Sequence, residues 1–311
     1  MNVRIGIIYD KNAPELFNNI SSILSKKFDV MGVLPDRISY LSKNEIDMVF
    51  NLYTGSNTKL EQVLIPAILK TKGIPHVGSD FFTHHISTNK ILTKIIMKHY
   101  GIPTPLFFTS RDISFLESPF KFPLIVKPSR EGSGLGITRD SVVYDIESLK
   151  KQVNRIYNEF NQEVLIEEFI EGREFTVGII GNDEELTILP IMEIDFSNLP
   201  EDCEKYYSYY VKREMGSKTI YRCPADIDKN LENQIRGIAK KLYEILDCKD
   251  YARIDIRVRG NEVYYVIEIN TYPGLHEDYS DLPKMARAFG LTYENLIFKI
   301  VESSLKRHGI L

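Results

Sequence analysis

YARIDIRVRGNEVYYVIEIN, residues 251–270, alternates apolar and polar side chains over two runs separated by Gly260-Asn261. Alternation with a period of two is the mark of a half-buried strand. In the first run Ala252, Ile254, Ile256 and Val258 point one way and Arg253, Asp255 and Arg257 the other, because successive strand residues face opposite sides. In the second, Val263, Tyr265, Ile267 and Ile269 share a face, and Val266, Glu268 and Asn270 take the opposite one. A two-residue turn at Gly260-Asn261 makes the pair a hairpin. That register sets Arg253 opposite Glu268 and Asp255 diagonal to it, with such neighbours about 4.5–8 Å apart. Two carboxylates, an amide and a guanidinium then share one face. Oxygen donors of this kind suit Mg2+, and the guanidinium can hold an anion that the metal also touches. A solvated face with an ordinary cross-strand ion pair produces the same alternation, so the hairpin alone leaves both readings open.

Two segments upstream add to it. In KPSREGSGLGI, residues 127–137, Gly132, Gly134 and Gly136 alternate around Ser133 and Leu135 after the strand-like FPLIV. Such a loop can turn its backbone N–H groups toward a phosphate. No Gly-Lys-Ser/Thr follows, so it is not a Walker A loop. ITRDSVV reads as strand, so it is not the glycine fingerprint that opens a helix either. The pattern is strand, glycine loop, strand: a flap with Lys127 at its root, where a buried lysine calls for a partner. A plain hairpin is the competing reading. In EVLIEEFIEGREF, residues 163–175, Glu167, Glu168 and Glu174 border a strand end. Backbone groups there could meet a purine edge and a carboxylate the ribose, or the stretch is simply an acidic turn.

The remaining chain frames these pieces. Val3–Tyr9 reads as a buried parallel strand, Leu16, Ile20, Ile23, Leu24 and Phe28 as a helical stripe, Asp47–Leu52 as a second strand and Leu64–Leu69 as part of a second helix. Strand, helix, strand, helix implies a parallel sheet with right-handed crossovers. One helix is expected over His85–Tyr100, then antiparallel strands interrupted by a helix over Ile146–Phe160, then helices over Leu231–Leu246 and Tyr293–Leu305. The expected organisation is α/β (α+β): a doubly wound unit over 1–85, a central α+β unit over 86–182, and a C-terminal unit over 183–311.

Composition narrows the class. The chain has 311 residues, 43% hydrophobic and 26% charged, with a net charge of −4. That is the mix of a globular enzyme, and it lacks the basic stripe expected of a partner for nucleic acid or an anionic membrane. Cys203, Cys223 and Cys248 have neither disulfide nor zinc spacing. MNVRIGIIYD has no signal-peptide pattern and the apolar runs are too short to span a bilayer, so a cytoplasmic protein is expected.

Taken in order, Lys121–Ile137 (KFPLIVKPSREGSGLGI), Val164–Gly178 (VLIEEFIEGREFTVG), Cys223–Ala225 (CPA) and Tyr251–Ala288 resemble the ATP-grasp superfamily, most closely its D-alanine–D-alanine ligase-like branch. The resemblance implies an ATP-grasp fold of three domains with ATP held between the central and C-terminal ones. It implies that Lys90, Lys127 and Lys212 contact phosphates, with Glu131, Gly132, Ser133, Gly134 and Gly136 forming the loop that closes over them and Ser133 also near the chemistry. Glu167, Glu168 and Ile170 would meet adenine, and Glu174 the ribose. Asp255, Glu268 and Asn270 would bind two Mg2+, with Mn2+ able to substitute. Arg253 and the Gly274 backbone would stabilise the tetrahedral centre formed when an amine attacks an acyl phosphate. The small-molecule substrates would be amino-acid-like, and a homodimer is the common assembly.

The likeness weakens where the family reads its substrates. YDKNAPELF replaces the glycine-rich Ser- and Glu-containing loop after the first strand, leaving Glu15 as a stand-in, and FNLYTGSNTKLEQ lacks the family's histidine. Tyr272 replaces a serine after the metal strand, and Tyr279 and Ser280 stand near the family's second substrate serine. Tyr272 and Tyr279 would narrow a small pocket or stack on a larger substrate. The expectation is an ATP-dependent ligase of the same reaction type with altered substrates. Alternatives are an authentic D-alanine–D-alanine ligase of cell-wall precursor synthesis and a non-catalytic ATP-binding regulator. The presence of every metal and phosphate ligand argues against the last.

Overall fold

A computed structural model describes residues 3–55, 59–111, 118–260 and 263–311. The chain builds three sheets in succession. The first is parallel, in the order β2-β1-β3, from β1 (Arg4–Ile8), β2 (Asp29–Val33) and β3 (Met48–Asn51). Helix α1 (Glu15–Leu24) links the first two strands, and α2 (Lys59–Thr71) follows the third. The strand β2 was not expected. Its sequence DVMGV is mostly exposed, so edge pairing with β1 places it rather than burial. The parallel arrangement itself is as expected.

Two helices follow where one was expected. Helices α3 (Phe81–Thr88) and α4 (Lys90–His99) are separated at Asn89, whose extended backbone and side chain, accepting from the Leu92 N–H at 3.3 Å, start the second helix. The break aims α4 so that Lys90 and Lys94, one turn apart, present to the next layer.

The second sheet is antiparallel, in the order β4-β7-β5-β6, from β4 (Phe107–Ser110), β5 (Leu124–Pro128), β6 (Val142–Val143) and β7 (Val164–Glu168). Helix α5 (Ile146–Phe160), capped by Asp145 on the Ser148 N–H at 2.8 Å, covers it through Leu149, Val153 and Ile156. ITRDSVV is only partly strand: a turn of 3-10 helix at Arg139–Ser141 precedes the two-residue β6.

The third sheet has the order β11-β10-β8-β12-β13, with β9 also on β8. It contains β8 (Arg173–Ile180), β9 (Thr187–Ile188), β10 (Met192–Asp195), β11 (Ile220–Arg222), β12 (Tyr251–Arg259) and β13 (Val263–Asn270), with α6 (Tyr209–Glu214) between β10 and β11. The expected boundary at residue 182 falls just after β8, which belongs to the third sheet. REFTVGII, placed in the central unit by sequence, is the strand that β12 pairs with along its length. Gly172 makes the crossing possible: at φ +138° its Cα approaches β12 so closely that a Cβ would stand 2.0 Å from the Val258 carbonyl oxygen.

Helix α7 (Lys229–Ile245) buries Ile235, Ala239 and Leu242 on one face of this sheet against Ala252, Ile254 and Ile256. Each fully buried side chain of that size contributes about 1.5–3 kcal/mol. Helices α8 (Asp281–Ala288) and α9 (Tyr293–Arg307) join Ile5, Ile7, Ile180 and Tyr251 in a core shared with the first sheet. Asp250, fully buried, ties that junction: it accepts from the Gly78 N–H at 2.7 Å, from Asn182 at 2.7 Å and from both ends of the Arg307 fork.

The β12–β13 hairpin corrects the expected register. Arg253 pairs with Asn270 and Asp255 with Glu268, not Arg253 with Glu268. Asn261 of the expected two-residue turn lies outside the described residues. Arg259 pairs with Val263, and a bulge at Ile267 shifts the register between Asp255 and Ile256. That extra residue changes the faces. Val266 joins Ile269 in the α7 core instead of sharing a side with Glu268, while Ile267 turns to the opposite side.

Candidate functional site

A cleft opens between the second and third sheets. The second sheet contributes Lys127 and Pro128 at the end of β5, the flap residues Glu131, Gly132, Ser133, Gly134, Leu135 and Ile137, and Glu167–Ile170 after β7. The third contributes Glu174, Asp255, Arg257, Ile267 and Glu268, with Tyr206, Tyr207 and Lys212 from the segment around α6. Lys90 enters from the start of α4. The structure thus brings together the expected phosphate lysines, the flap and the two metal acids.

The flap is shaped by left-handed backbone at Ser133 (φ 56°), Gly134 (φ 77°) and Gly136 (φ 78°). Gly134 is required for closure, because a Cβ there would meet the Tyr209 backbone nitrogen at 2.8 Å. The flap is closed in this conformation: the Tyr209 N–H donates to the Ile137 carbonyl at 3.2 Å and the Tyr206 hydroxyl to the Thr138 carbonyl at 2.7 Å. Gly136 does not line the cleft. It packs toward Pro128 and Phe160, and its carbonyl accepts from Arg155 at 2.8 Å. Gln162 braces the root, donating to Glu131 at 3.0 Å and accepting from the Arg130 N–H at 2.7 Å.

The lysines are held by acids beneath them. Lys127 donates to Glu167, which also pairs with Lys94 at 2.7 Å, and both Glu167 and Lys94 have side chains only 1% exposed. Burial pushes the Glu167 carboxyl up, but Lys127 and Lys94 outweigh it and hold it below the ordinary value. The Glu167 carboxylate, expected to face adenine, is therefore occupied by two lysines. Lys90 donates to the Glu131 carbonyl and lies 3.7 Å from Glu268. Lys212 stands 4.5 Å over the Tyr207 ring, its ammonium lowered by burial and by Arg253.

At the end of the cleft formed by β8, Arg257 organises two expected positions, Ile170 and Glu174, together with Gly172. It donates to the Ile170 carbonyl at 2.7 Å, the Gly172 carbonyl at 3.0 Å and Glu174 at 2.6 Å, and its guanidinium lies 5.2 Å from the Phe169 ring centre. Burial raises the Glu174 carboxyl despite Arg257. Glu168 pairs outward with Arg259 at 2.6 Å.

The metal acids meet on one atom. Asn270 Nδ2 lies 3.0 Å from Asp255 Oδ2 and 3.3 Å from Glu268 Oε1. An amide proton donor thus stands between the two carboxylates where a cation would stand, and turning the amide presents its oxygen instead. The donor set, two carboxylates and an amide, fits a hard divalent cation completed by phosphate and water. Among the described residues no group of three or more His, Cys, Asp or Glu side chains could hold a metal, so this mixed set is the candidate. Arg253 lies beside it, with Nε and Nη2 each 2.9 Å from Asp255 and Nη1 3.3 Å from Asp281. Burial alone would lower this guanidinium, but Asp255 and Asp281 outweigh it and hold it above its ordinary range.

Several expected substrate residues lie outside the cleft lining. Tyr272 neither stacks into it nor narrows it: its hydroxyl donates to the Ser79 carbonyl at 2.9 Å, and its ring meets His84 at 4.5 Å. Tyr279 is 68% exposed and stacked on His276 at 4.1 Å. Glu15 is exposed in the first turn of α1. Ser280 Oγ accepts from the His276 N–H at 3.0 Å, and a Cβ on Gly274 would come within 2.8 Å of that oxygen. Lys94, Arg257 and Asp281 were not singled out by sequence. Lys94 repeats Lys90 at helical spacing and Arg257 repeats Asp255 at strand spacing, which is the only local signal either carries.

Comparison with known proteins agrees with this geometry. The family model described as the D-ala D-ala ligase C-terminus matches residues 96–302. A D-alanine–D-alanine ligase of Carboxydothermus hydrogenoformans is 33% identical over 301 residues, covering 92% of this chain and 90% of the relative. An uncharacterized protein, y4sG, of Sinorhizobium fredii is 31% identical over 84% of this chain and 75% of its own length. A crystal structure of the D-alanine–D-alanine ligase of Bacillus anthracis superposes with a TM-score of 0.80 at 26% identity, covering 99% of each chain. Among the described residues no helix is long and apolar enough to cross a membrane. The ATP-grasp fold, the cleft and the matched segments together establish that the chain belongs to the D-alanine–D-alanine ligase family, whose members are ATP-dependent carbon–nitrogen ligases that use a divalent metal and release ADP and phosphate.

Proposed function

We propose that this protein joins an amino-acid-like carboxylate to an amine through an acyl phosphate, with substrates that differ from the D-alanine pair. The observation that carries the reading is the single cleft in which Lys90, Lys127 and the closed flap face Asp255 and Glu268. A carboxylate oxygen attacks the γ-phosphorus of ATP and ADP leaves. The amine nitrogen then attacks the activated carbonyl carbon, phosphate leaves and the nitrogen gives up a proton. Lys90, Lys127, Lys212 and the N–H groups of Glu131–Gly136, with Ser133 at the tip, offset charge on the transferring group. Asp255, Glu268 and Asn270 would hold two Mg2+, or Mn2+ in their place, supplying charge neutralisation at the phosphates. Arg253 and the Gly274 N–H meet the oxyanion of the tetrahedral centre. Closure of the flap on Tyr206 and Tyr209 keeps water from the acyl phosphate. Ile170 and Glu168 border the base and Glu174 the ribose, with Arg257 fixing the strand end that carries them. We assign the protein to the cytoplasm, as a homodimer divided into lobes near residues 85 and 182 apart from the strand β8.

Altered substrates are supported by Tyr272, whose hydroxyl is tied to the Ser79 carbonyl, and by Glu15, which is exposed and does not line the cleft. The second reading, an authentic D-alanine–D-alanine ligase, is favoured by the name of the 33% identical relative. A phosphate-release screen over pairs of D- and L-amino acids, with product masses, separates them. Turnover on D-alanine alone would establish the second reading. ATP binding without turnover on any pair, with amino-acid amides and simple amines also offered as the amine, would overturn both.

A further inference from the structure

Arg253 has two faces. Nε and Nη2 look toward Asp255 and the metal acids, and Nη1 looks away from them to Asp281 Oδ2 at 3.3 Å. Asp281 is 3% exposed. Its other oxygen accepts no hydrogen bond among the described residues and lies 3.8 Å from Lys284 Nζ. Asp281 is also the first residue of the eight-residue α8, directly after Ser280. Beyond it stand Tyr207 and Tyr221, with hydroxyls 3.0 Å apart, and Lys284 over the Tyr221 ring at 3.5 Å. Burial raises both tyrosines, and the Asp281 charge adds to the effect on each, which places the carboxylate within electrostatic reach of both hydroxyls.

A guanidinium and an ammonium facing one buried point at the first residue of a helix is an arrangement that suits a carboxylate. Here the protein fills it with a carboxylate of its own. We propose that Asp281 is a built-in replacement for a substrate carboxylate, so that the amine accepted by this ligase carries no free carboxylate beside its amino group: an amino-acid amide or a simple amine. The proposal rests on the ligase reading above. The metal acids and phosphate lysines occupy the Asp255 side of Arg253, which leaves the Asp281 side for the amine; Tyr207, which lines the cleft, feels the Asp281 charge there. An α-amino acid arriving there would bring a second anion to two cations already neutralised and would be repelled. An amide presents a donor to the Asp281 oxygen that accepts no hydrogen bond among the described residues.

The test offers each D- and L-amino acid as carboxylate donor and compares alanine with alaninamide of both hands as the amine, following ADP release and product mass. The wild-type protein is expected to use the amide at least about 10-fold better in kcat/KM. Asp281→Ser is expected to reverse the ratio toward the free acid by a further factor of about 10, mainly through KM. Acetate, at matched ionic strength, is expected to raise the melting temperature of D281S and not that of the wild type, because it refills the emptied cation pair. Free acids used by the wild type as well as their amides overturn the proposal, as does a D281S ratio that does not move, which would leave Asp281 a structural counter-ion. ADP release with free acids as fast as with amides sinks this proposal alone, whereas no ADP release with any donor and any amine, amides included, sinks the ligase reading and the proposal with it. If D281S is too unstable to assay, the wild-type ratio decides.

Discussion

Lys94 and Glu167 meet at 2.7 Å beneath the cleft, each with a side chain 1% exposed. A buried pair broken from one side leaves an uncompensated charge, which costs about 3–5 kcal/mol. Lys94→Met and Glu167→Gln are each expected to lose stability in that range in urea unfolding, with the double variant losing less than the sum because both report one interaction. Lys127 shares the same carboxylate, so E167Q is also expected to weaken ATP binding.

The same pair sets an acid limit. Lys127 and Lys94 keep the folded-state Glu167 carboxyl below its ordinary value against the pull of burial. A group depressed in this way contributes stability that is complete above its unfolded value and lost as pH falls through the folded one. Wild-type stability should therefore drop below about pH 4.3, the unperturbed glutamate value. E167Q, less stable at pH 7, should show a flatter acid limb.

His76 supplies a second, higher window. Burial, followed by Arg307 and His308, lowers it from 6.5 to about 4. The folded state resists the proton that the unfolded chain accepts, so stability is full above pH 6.5 and declines between pH 6.5 and 4. The decline amounts to about 3 kcal/mol at about 1.4 kcal/mol per unit. Thermal melts of His76→Gln across this range should lack that slope; an unchanged slope would assign it to other groups.

Glu268 carries the metal assignment. Glu268→Gln is expected to reduce turnover more than about 100-fold, equivalent to about 2.7 kcal/mol of barrier, with the melting temperature nearly unchanged. Chelation of divalent cations should abolish ADP release in the wild type. Substantial activity in E268Q would count against the cation site.

Flap closure depends on one missing methyl. Gly134→Ala places a Cβ 2.8 Å from the Tyr209 nitrogen and strains a backbone at φ +77°. The fold should persist, since the flap is peripheral to the cores. ATP affinity measured by calorimetry should fall about 10-fold, or about 1.4 kcal/mol, and ATP hydrolysis without product should rise as water enters.

Much of this site was legible because its chemistry lies on regular strands. The alternation of Asp255 and Arg257 against Ala252 and Ile254 is visible in the sequence and is the observed division between cleft and core, with Ile256 of the core also reaching the cleft lining. The register of the partner strand was not, because a one-residue bulge leaves Val266, Ile267 and Glu268 looking like unbroken alternation. Lys94 was hidden for a different reason. A lysine on an amphipathic helix reads as solvated, and only the approach of β7, which brings Glu167, buries it. Asp281 follows the same logic: an acid at a helix start looks like a cap until Arg253, distant in sequence, arrives beside it. Tyr272 was expected near the substrate because it replaces a serine of the family's pattern after the metal strand, yet its hydroxyl is tied to backbone at Ser79.

Ile267 answers to no residue on the adjacent strand, so the ladder places no demand on its size. It lines the cavity beside Glu268. A lineage could enlarge or shrink that side chain and reshape the cavity while leaving Asp255 and Glu268 in their register. The bulge is thus an adjustable spacer: one position at which the shape of the cavity can evolve independently of the acids.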